Sequence, residues 1–488
     1  MVDAVIEFPS GQVRQKLASA ADKRLSGAFT QLRTGWRHDG GLTADRRDEA
    51  LDHLARVIVK YQAALVEAVS RDFGHRSPHE TRLADIQASL SAIRYARKHL
   101  SRWIRPQRVG VALPFLPGRA RVEMVPLGVV GIISPWNYPI QLALVPLTAA
   151  IAAGNRVLLK PSELTPHTAA LLERLLAEVF DPTEVAVVTG GVDMAQAVSH
   201  LPLDHLLFTG STSVGRQVMR AASDALVPVT LELGGKSPAI IGPGFDMALA
   251  AERIAIGKLF NAGQTCIAPD YALVPRGREA EFIDHFEKAT SRLYPRLGDN
   301  ADYSAIVTDK HYERLLGLID DARRRGANAR FINPAGEALE PAKRKLAPTL
   351  LWQVPEGSAV LTQEIFGPVL PILSYLTVEE AVALVNSRPR PLALYLFSRR
   401  KADVDFILGR TRAGGVTLND TLLHAAQDGL PFGGVGESGM GSYHGEAGFR
   451  TFSQARPLFR ASRFSPARLV RPPYGERIDR MLRWLIGR

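Results

Sequence analysis

The sequence predicts an α/β protein in which a doubly wound parallel sheet is followed by a second α/β domain. Three observations carry this. Beyond residue 124, short apolar runs alternate with helical patterns, the arrangement that packs helices on both faces of a parallel sheet. At 488 residues the chain exceeds one ordinary core of roughly 100–200 residues, so two or three packed units are expected. Hydrophobic residues make up 46% and charged residues 22%, the balance of a folded globular chain rather than a disordered or fibrous one.

Taken in order, the first hundred residues read as helical. Leu51, Leu54, Ile58, Leu65 and Val69 recur at helical spacing over 43–73, and Leu83, Ile86, Leu90 and Ile93 continue the stripe over 81–103. Pro106, Pro114, Pro117 and Gly118 then break the pattern across 105–123, which predicts an exposed hairpin or linker. Strands are expected near 125–133, 156–160, 185–189, 205–208 and 229–233, with helices between them. Gly154 fits a helix C-terminal cap, and Thr165-Pro166 opens the next helix. After Gly234, helices near 246–260, 279–293, 309–325 and 378–386 and a strand at 392–397 predict the second domain. There is no internal repeat and no low-complexity tract.

One cysteine excludes an internal disulfide and a cysteine-rich zinc site, so that thiol is either packing or chemistry. The start, MVDAVIEFPSGQVRQ, lacks a basic region followed by an apolar core and reads as carrying no export signal. The most apolar long stretch, 139–153, is interrupted by Gln141 and Pro146 and is shorter than the ~20 residues of a membrane span, so a cytoplasmic location is expected. Sixty Lys and Arg against 49 Asp and Glu give a formal charge of +11, but the basic residues are spread without a nucleic-acid motif, and no nucleic-acid partner is expected. Near the end, Ile478, Met481, Leu482, Leu485 and Ile486 alternate with Arg477, Arg480, Arg483 and Arg488 as a basic amphipathic helix; packing on the parent or a sister subunit is expected in preference to a membrane.

Cys266 stands in FNAGQTCIAP (260–269), just past a helix and amid small and polar residues, a context that favours an accessible nucleophile over buried packing. Glu232 ends a strand in VTLELGGKSP (229–238), at the carboxyl edge where ligands of such sheets gather; it either activates water or pairs with Lys236 at a turn. Asn137, in SPWNYP (134–139), is stiffened by two prolines and either donates to an oxyanion or bonds its own backbone. Lys160 and Glu163 in KPSE can grip ribose hydroxyls or form a surface salt bridge. FTGSTSVG (208–215), with Gly210, Ser211 and Gly215, offers helix N–H groups to a pyrophosphate or is an ordinary glycine turn. A formal GxGxxG at 434–439 has no strand before it and is not read as a dinucleotide fingerprint.

Together these segments resemble the aldehyde dehydrogenase superfamily over nearly the whole chain. PWNYP, KPSE, FTGSTSVG, LELGGKSP, FNAGQTC and EIFGP (364–368) stand in that family's order and spacing. The short N-terminal region, PLALYLF (391–397) and GMGSYHG (439–445) look most like the class 3 branch, and within it HAAQD (424–428) and RPPYG (471–475) resemble coniferyl aldehyde dehydrogenases.

The resemblance implies oxidation of an aldehyde to a carboxylic acid with NAD, or with NADP, through a thioester on Cys266. The implied substrate is an aromatic aldehyde such as coniferyl aldehyde, with a medium- or long-chain fatty aldehyde as the alternative. Cys266 would be the nucleophile, Asn137 and the Cys266 N–H the oxyanion donors, and Glu232 the base for deacylation. Trp136, Lys160, Glu163, Gly210, Ser211, Gly215, Glu364 and Phe366 would hold the cofactor, and no metal is implied. Residues 1–104 with 124–233 would bind the dinucleotide and 234–448 would be catalytic. Residues 105–123 with 449–488, including a strand over 449–460, would form a small β oligomerisation element of a homodimer or homotetramer. Two rivals belong to other classes, a thiol esterase and a non-catalytic nucleotide-binding scaffold; the intact sheet motifs argue against the first, and Cys266 with Glu232 against the second.

Overall fold

The parallel sheet expected after residue 124 is present in the computed structural model, which describes residues 11–112, 115–463 and 471–487. Pro114, Arg488 and the first ten residues of the stretch read for an export signal lie outside them. Numbered along the chain, β1 is Gln107–Val109, β2 Arg119–Pro126, β3 Val129–Ile133, β4 Arg156–Lys160, β5 Val185–Val187, β6 His205–Gly210 and β7 Val229–Leu233. The second half adds β8 (Pro238–Ile241), β9 (Tyr271–Pro275), β10 (Asn328–Phe331), β11 (Thr349–Trp352), β12 (Val369–Tyr375), β13 (Ala393–Phe397), β14 (Gly415–Leu418), β15 (Gly439–Met440) and β16 (Ser453–Arg460).

The first sheet runs β15-β7-β6-β3-β4-β5, parallel except where β15 meets β7. The chain moves outward from β3 through β4 to β5, then returns past β3 to β6 and β7. Loops leaving β3 and β6 therefore diverge, opening a crevice at the carboxyl ends of the strands. Every residue of β3 is buried, which is why Val129-Val-Gly-Ile-Ile133 is a continuous apolar run rather than an alternating one. The second sheet runs β10-β11-β12-β9-β8-β13-β14, antiparallel only between β10 and β11.

The apolar stretch at 139–153 is a core helix, Gln141–Ala153, with every residue from Leu142 to Ala153 buried and Gly154 closing it at φ 95°. A helix apolar on all sides belongs inside. No helix among the described residues is long and apolar enough to cross a membrane.

Three sequence expectations are corrected. The strand expected over 125–133 is two strands parted at Leu127-Gly128, because Gly128 turns at φ 144° where a Cβ would strike the Asp204 carboxylate. The helix over 81–103 begins as a π-helix, Thr81–Gln87, whose wider turn shifts the phase and leaves Leu83 63% exposed while Ile86 and Ile93 are buried. The strand expected over 449–460 starts at Ser453, since Gly445–Thr451 is helical and seats Phe449 against Trp103 at 5.5 Å. The terminal helix expected near the end forms over Glu476–Ile486, with Ile478 and Met481 half-buried.

The hairpin β1–β2 pairs with β16 in a third, three-stranded sheet. One side chain ties this sheet to the first. Asn155, fully buried, accepts from the N–H groups of Leu127 (2.8 Å) and Gly128 (2.9 Å) and donates to the carbonyls of Ala150 (3.1 Å) and Phe452 (2.8 Å). Removing it strands buried backbone groups at a cost of about 1–3 kcal/mol each. Asn155→Ala is expected to lower the stability of the folded chain by about 3 kcal/mol and to shift the urea midpoint down; an unchanged midpoint would show that water replaces all four bonds.

Candidate active site

The loop leaving β3 carries Trp136 and Asn137 over the crevice. Asn137 is 3% exposed, and its carbonyl accepts from the Arg76 guanidinium (2.6 Å) and the Asn261 amide (3.1 Å). Its own amide nitrogen donates to the Gln264 carbonyl at 3.2 Å, two residues before Cys266. The side chain thus bonds across to the cysteine loop rather than to its own backbone. A primary amide has two N–H donors, and the Gln264 carbonyl is the acceptor of one.

The cysteine loop leaves the helix Met247–Leu259 through a strained turn in which Asn261 (φ 52°), Ala262 (φ 50°) and Gly263 (φ 76°) are all left-handed. Non-glycine residues there cost of order 1–3 kcal/mol each and persist only when the surroundings hold them. Glu80 holds the turn from the end of the short helix Pro78–Glu80 that precedes the π-helix, accepting from the Asn261 N–H (3.0 Å) and the Ser304 hydroxyl (2.7 Å). Gln264, fully buried, bonds Asn261, Ala305 and Val307. Thr265 shares a 2.5 Å hydrogen bond with the Tyr138 hydroxyl.

Cys266 is partly exposed at the floor of the cleft. Burial raises its thiol pKa, and the Glu232 and Glu364 carboxylates raise it further; the N–H groups of Cys266 and Ile267 oppose them. Glu232, at the penultimate position of β7, is 2% exposed, and neither carboxylate oxygen has a partner among the described residues. Burial alone pushes its pKa well up. Lys236 does not pair with it: that ammonium bonds Asp270 and the carbonyls of Val360 (2.9 Å) and Gln363 (3.0 Å). The formal GxGxxG explains the bare strand edge beside Glu232. Gly439 pairs with Glu232, the Leu233 N–H donates to the Ser438 carbonyl, and a Cβ on Gly439 would strike the Leu231 carbonyl. These glycines admit backbone against β7, not phosphate.

The segment before β12 closes the cleft. Glu364 accepts from the Gly235 N–H at 3.1 Å and is pushed up to about 7, mainly by burial and also by Asp270. Phe366, held at φ 54°, meets Trp136 edge to face at 5.4 Å. The resulting cleft of about 460 Å³ is lined by Trp136, Asn137, Gly210, Ser211, Glu232, Cys266, Glu364 and Phe366, all expected site residues. Lys160, Glu163 and Gly215 are not among its lining. Lys160 is 1% exposed and pairs with Glu163 at 2.5 Å at the end of β4.

Sequence reasoning passed over His311, Arg314 and Gln363, which also line the cleft. Arg314 donates to the carbonyls of Glu364 (3.1 Å) and Ile365, and the Ile365 N–H reaches Asp270 at 2.9 Å. No local pattern marks them; Asp270, four residues after Cys266, was the one accessible clue. Tyr443 was missed as well. It is 1% exposed, its hydroxyl has no partner among the described residues, and burial with the charges of Glu232 and Cys266 raises its pKa.

The surroundings of the cleft fit a dinucleotide. The Thr209 hydroxyl is buried without a partner among the described residues, and a Cβ on Gly210 would come within 2.5 Å of the Phe208 ring. The helix Thr212–Ser223, capped by Ser211, starts at the same edge.

A family model described as "Aldehyde dehydrogenase family" matches residues 4–457. A "Probable coniferyl aldehyde dehydrogenase" of Pseudomonas aeruginosa is 51% identical over 459 residues, 94% of this chain and 95% of the relative. The "Coniferyl aldehyde dehydrogenase" of Pseudomonas sp. strain HR199 is 44% identical over 472 residues, 96% and 98% of the two chains. A substrate-bound Staphylococcus aureus AldH superposes with a TM-score of 0.89 at 39% identity, covering 94% of this chain and 99% of that one. The NAD+ complex of an aldehyde dehydrogenase from Bacillus cereus gives 0.81 at 26% identity, covering 91% and 89%.

Because the Glu232 charge opposes ionisation of Cys266, Glu232→Gln is expected to lower the thiol pKa. Alkylation by iodoacetamide at a fixed mildly alkaline pH should then be several-fold faster than in the parent, with its pH midpoint shifted down. Slower alkylation would mean that Glu232 accepts the thiol proton.

Proposed function

Since this chain belongs to the aldehyde dehydrogenase family, we propose that its substrate is an aromatic aldehyde of the coniferyl type, oxidised to the acid with NAD at Cys266. The observation that carries this reading is the convergence of Cys266, Asn137, Glu232 and Glu364 on one cleft. The names of the two coniferyl relatives support the substrate class.

Thiolate addition to the aldehyde carbon brings the substrate oxygen to the Cys266 N–H and the Asn137 amide. One such donor is worth roughly 10²–10³ in rate. Bound at this cleft, NAD supplies the acceptor for the hydride that leaves as the adduct becomes a thioester on Cys266. Glu232 then takes a proton from the water that attacks the thioester, releasing the acid and restoring the thiol. Its raised pKa suits a base that must hold and return a proton near neutral pH. Lys160 and Glu163 would hold the adenosine ribose, Gly210, Ser211 and Gly215 the pyrophosphate, and Trp136, Glu364 and Phe366 the nicotinamide end.

In the same proposal, residues 1–104 with 124–233 bind the dinucleotide, 234–448 carry the nucleophile, and 105–123 with 449–488 mediate a homodimer or homotetramer. A cytoplasmic location suits a free catalytic thiol, which a reducing compartment preserves.

Coniferyl aldehyde is expected to drive NADH appearance at 340 nm with a higher kcat/KM than a fatty aldehyde. Cys266→Ser should give none, and Glu232→Gln should release NADH once while the acyl group stays on the Cys266 peptide, with turnover down by roughly 10²- to 10⁴-fold. A fatty aldehyde preferred over coniferyl aldehyde would overturn the substrate class, and full turnover of Cys266→Ser would overturn the nucleophile. Glu163 should repel the 2′-phosphate of NADP, so Glu163→Gln is expected to raise the NADP-to-NAD ratio of kcat/KM. An unchanged ratio would remove Glu163 from that role.

A further inference from the structure

Between the short helix Ala359–Thr362 and β12, residues 363–368 carry Gln363, Glu364 and Phe366 into the cleft without belonging to a helix or a strand. Backbone of this kind has no ladder to bond, so side chains must take its polar groups. Three charged side chains do so. The Lys236 ammonium has three N–H donors and uses all of them, one on the Asp270 carboxylate and two on the carbonyls of Val360 (2.9 Å) and Gln363 (3.0 Å). Arg314 donates to the carbonyls of Glu364 (3.1 Å) and Ile365, and the Ile365 N–H donates to Asp270 at 2.9 Å. Phe366 follows in the left-handed region at φ 54°, a conformation that persists only where the surroundings impose it.

These bonds meet at Asp270. It lies four residues after Cys266, its N–H donates to the Ser237 carbonyl at 2.7 Å, and its two carboxylate oxygens divide between Lys236 and Ile365. One residue thus joins three segments of the cleft: the cysteine loop, the turn after the strand that carries Glu232, and the stretch bearing Glu364 and Phe366. The side chains of Lys236 and Asp270 are 6% and 4% exposed. Desolvation offsets most of what such a pair gains in attraction, so its consequence here is one of placement. The charge is needed for that placement, because without it Lys236 is an uncompensated buried ammonium whose bonds to the two carbonyls lose their fixed origin.

We propose that Asp270, through Lys236 and the Ile365 N–H, is the positioning residue that keeps residues 360–366 in register with Cys266 and so sets the nicotinamide end of the cofactor against the thiol. Asp270 is not among the residues lining the cleft, and it acts through the backbone it holds. The inference rests on the proposed placement of the nicotinamide end at Glu364 and Phe366.

The test uses the full-length protein and three readouts. In hydrogen–deuterium exchange without NAD, Asp270→Ala should speed exchange of the Ile365 amide by about ten-fold or more, the loss expected for one bond to a charged acceptor. The dissociation constant for NAD, followed by tryptophan fluorescence, should rise by about ten-fold. In the first turnover at saturating NAD and aldehyde, the rate of NADH appearance should fall by roughly 10- to 100-fold with its amplitude per folded site unchanged, since misplacement slows the step without removing the site. Asp270→Asn/Lys236→Met removes both charges and leaves neither buried alone, so it serves where Asp270→Ala fails to fold, and it should show the same weaker NAD binding and slower first turnover. Parent-like NAD affinity and rate in the double variant overturn the proposal, as does a lower amplitude at an unchanged rate, which marks a role in folding alone. Glu364→Ala separates the proposal from the reading beneath it. Unimpaired NAD binding in that variant removes the nicotinamide end from this segment and overturns both, whereas weakened binding there beside parent-like Asp270 variants overturns the positioning role only.

Discussion

The cleft depends on how one backbone carbonyl, that of Asn137, is held. It belongs to the loop that leaves β3 of the first sheet, yet Asn261, in the turn that delivers Cys266 before β9 of the second sheet, donates to it, and so does Arg76. Arg76 is fully buried, faces the rings of Phe73 and Tyr138 at 5.1 and 4.7 Å, and lies 3.4 Å from Asp85. Asp85 in turn accepts from the N–H groups of Ile140 and Gln141, which open the core helix. A buried ion pair is weak evidence for stability, because desolvation offsets much of the attraction. Here its effect is geometric: a rigid guanidinium fixes the distance between the amide and the thiol loop, which neither sheet determines alone.

The electrostatics of the cleft follow from what is absent around the thiol among its charged neighbours. Burial disfavours the charged form of Cys266, Glu232 and Glu364, and both carboxylates act against the thiolate. The opposing groups are neutral donors, the N–H groups of Cys266 and Ile267. Neutral donors aimed at one point stabilise an anion that forms during reaction more than they stabilise the resting state, which is the condition for lowering a barrier rather than tightening binding.

The glycine-rich segment after residue 433 shows how a motif can be right in form and different in use. Gly434 and Gly439 are required by close backbone approach, the first to Ser438 and the second to Leu231. The strand that carries Glu232 therefore receives a neighbour without side chains at the point of contact. The carboxylate remains unpartnered among the described residues because β15 contributes only backbone there.

The apolar runs of β3 and β4, the cap at Gly154 and the isolation of the one cysteine among polar residues were legible in the sequence, because burial on both faces, left-handed turns and local context each act within a few residues. The motif segments also announced which side chains would meet at the cleft, all but Lys160, Glu163 and Gly215 lining it directly. Other features were set by partners far along the chain. Lys236 pairs with Asp270, 34 residues away, rather than with nearby Glu232, and Glu364 reaches the Gly235 N–H across 129 residues. Arg314 entered the site because its guanidinium, from the second turn of the helix Asp309–Arg324, donates to the Glu364 and Ile365 carbonyls. The π-turn that exposes Leu83 likewise answers to a distant contact made from within it, Asp85 being drawn to Arg76 and to the core helix. Periodicity reports the face a residue presents, but the choice among charged partners is made by distance and desolvation, and those exist only once the two sheets have closed on each other.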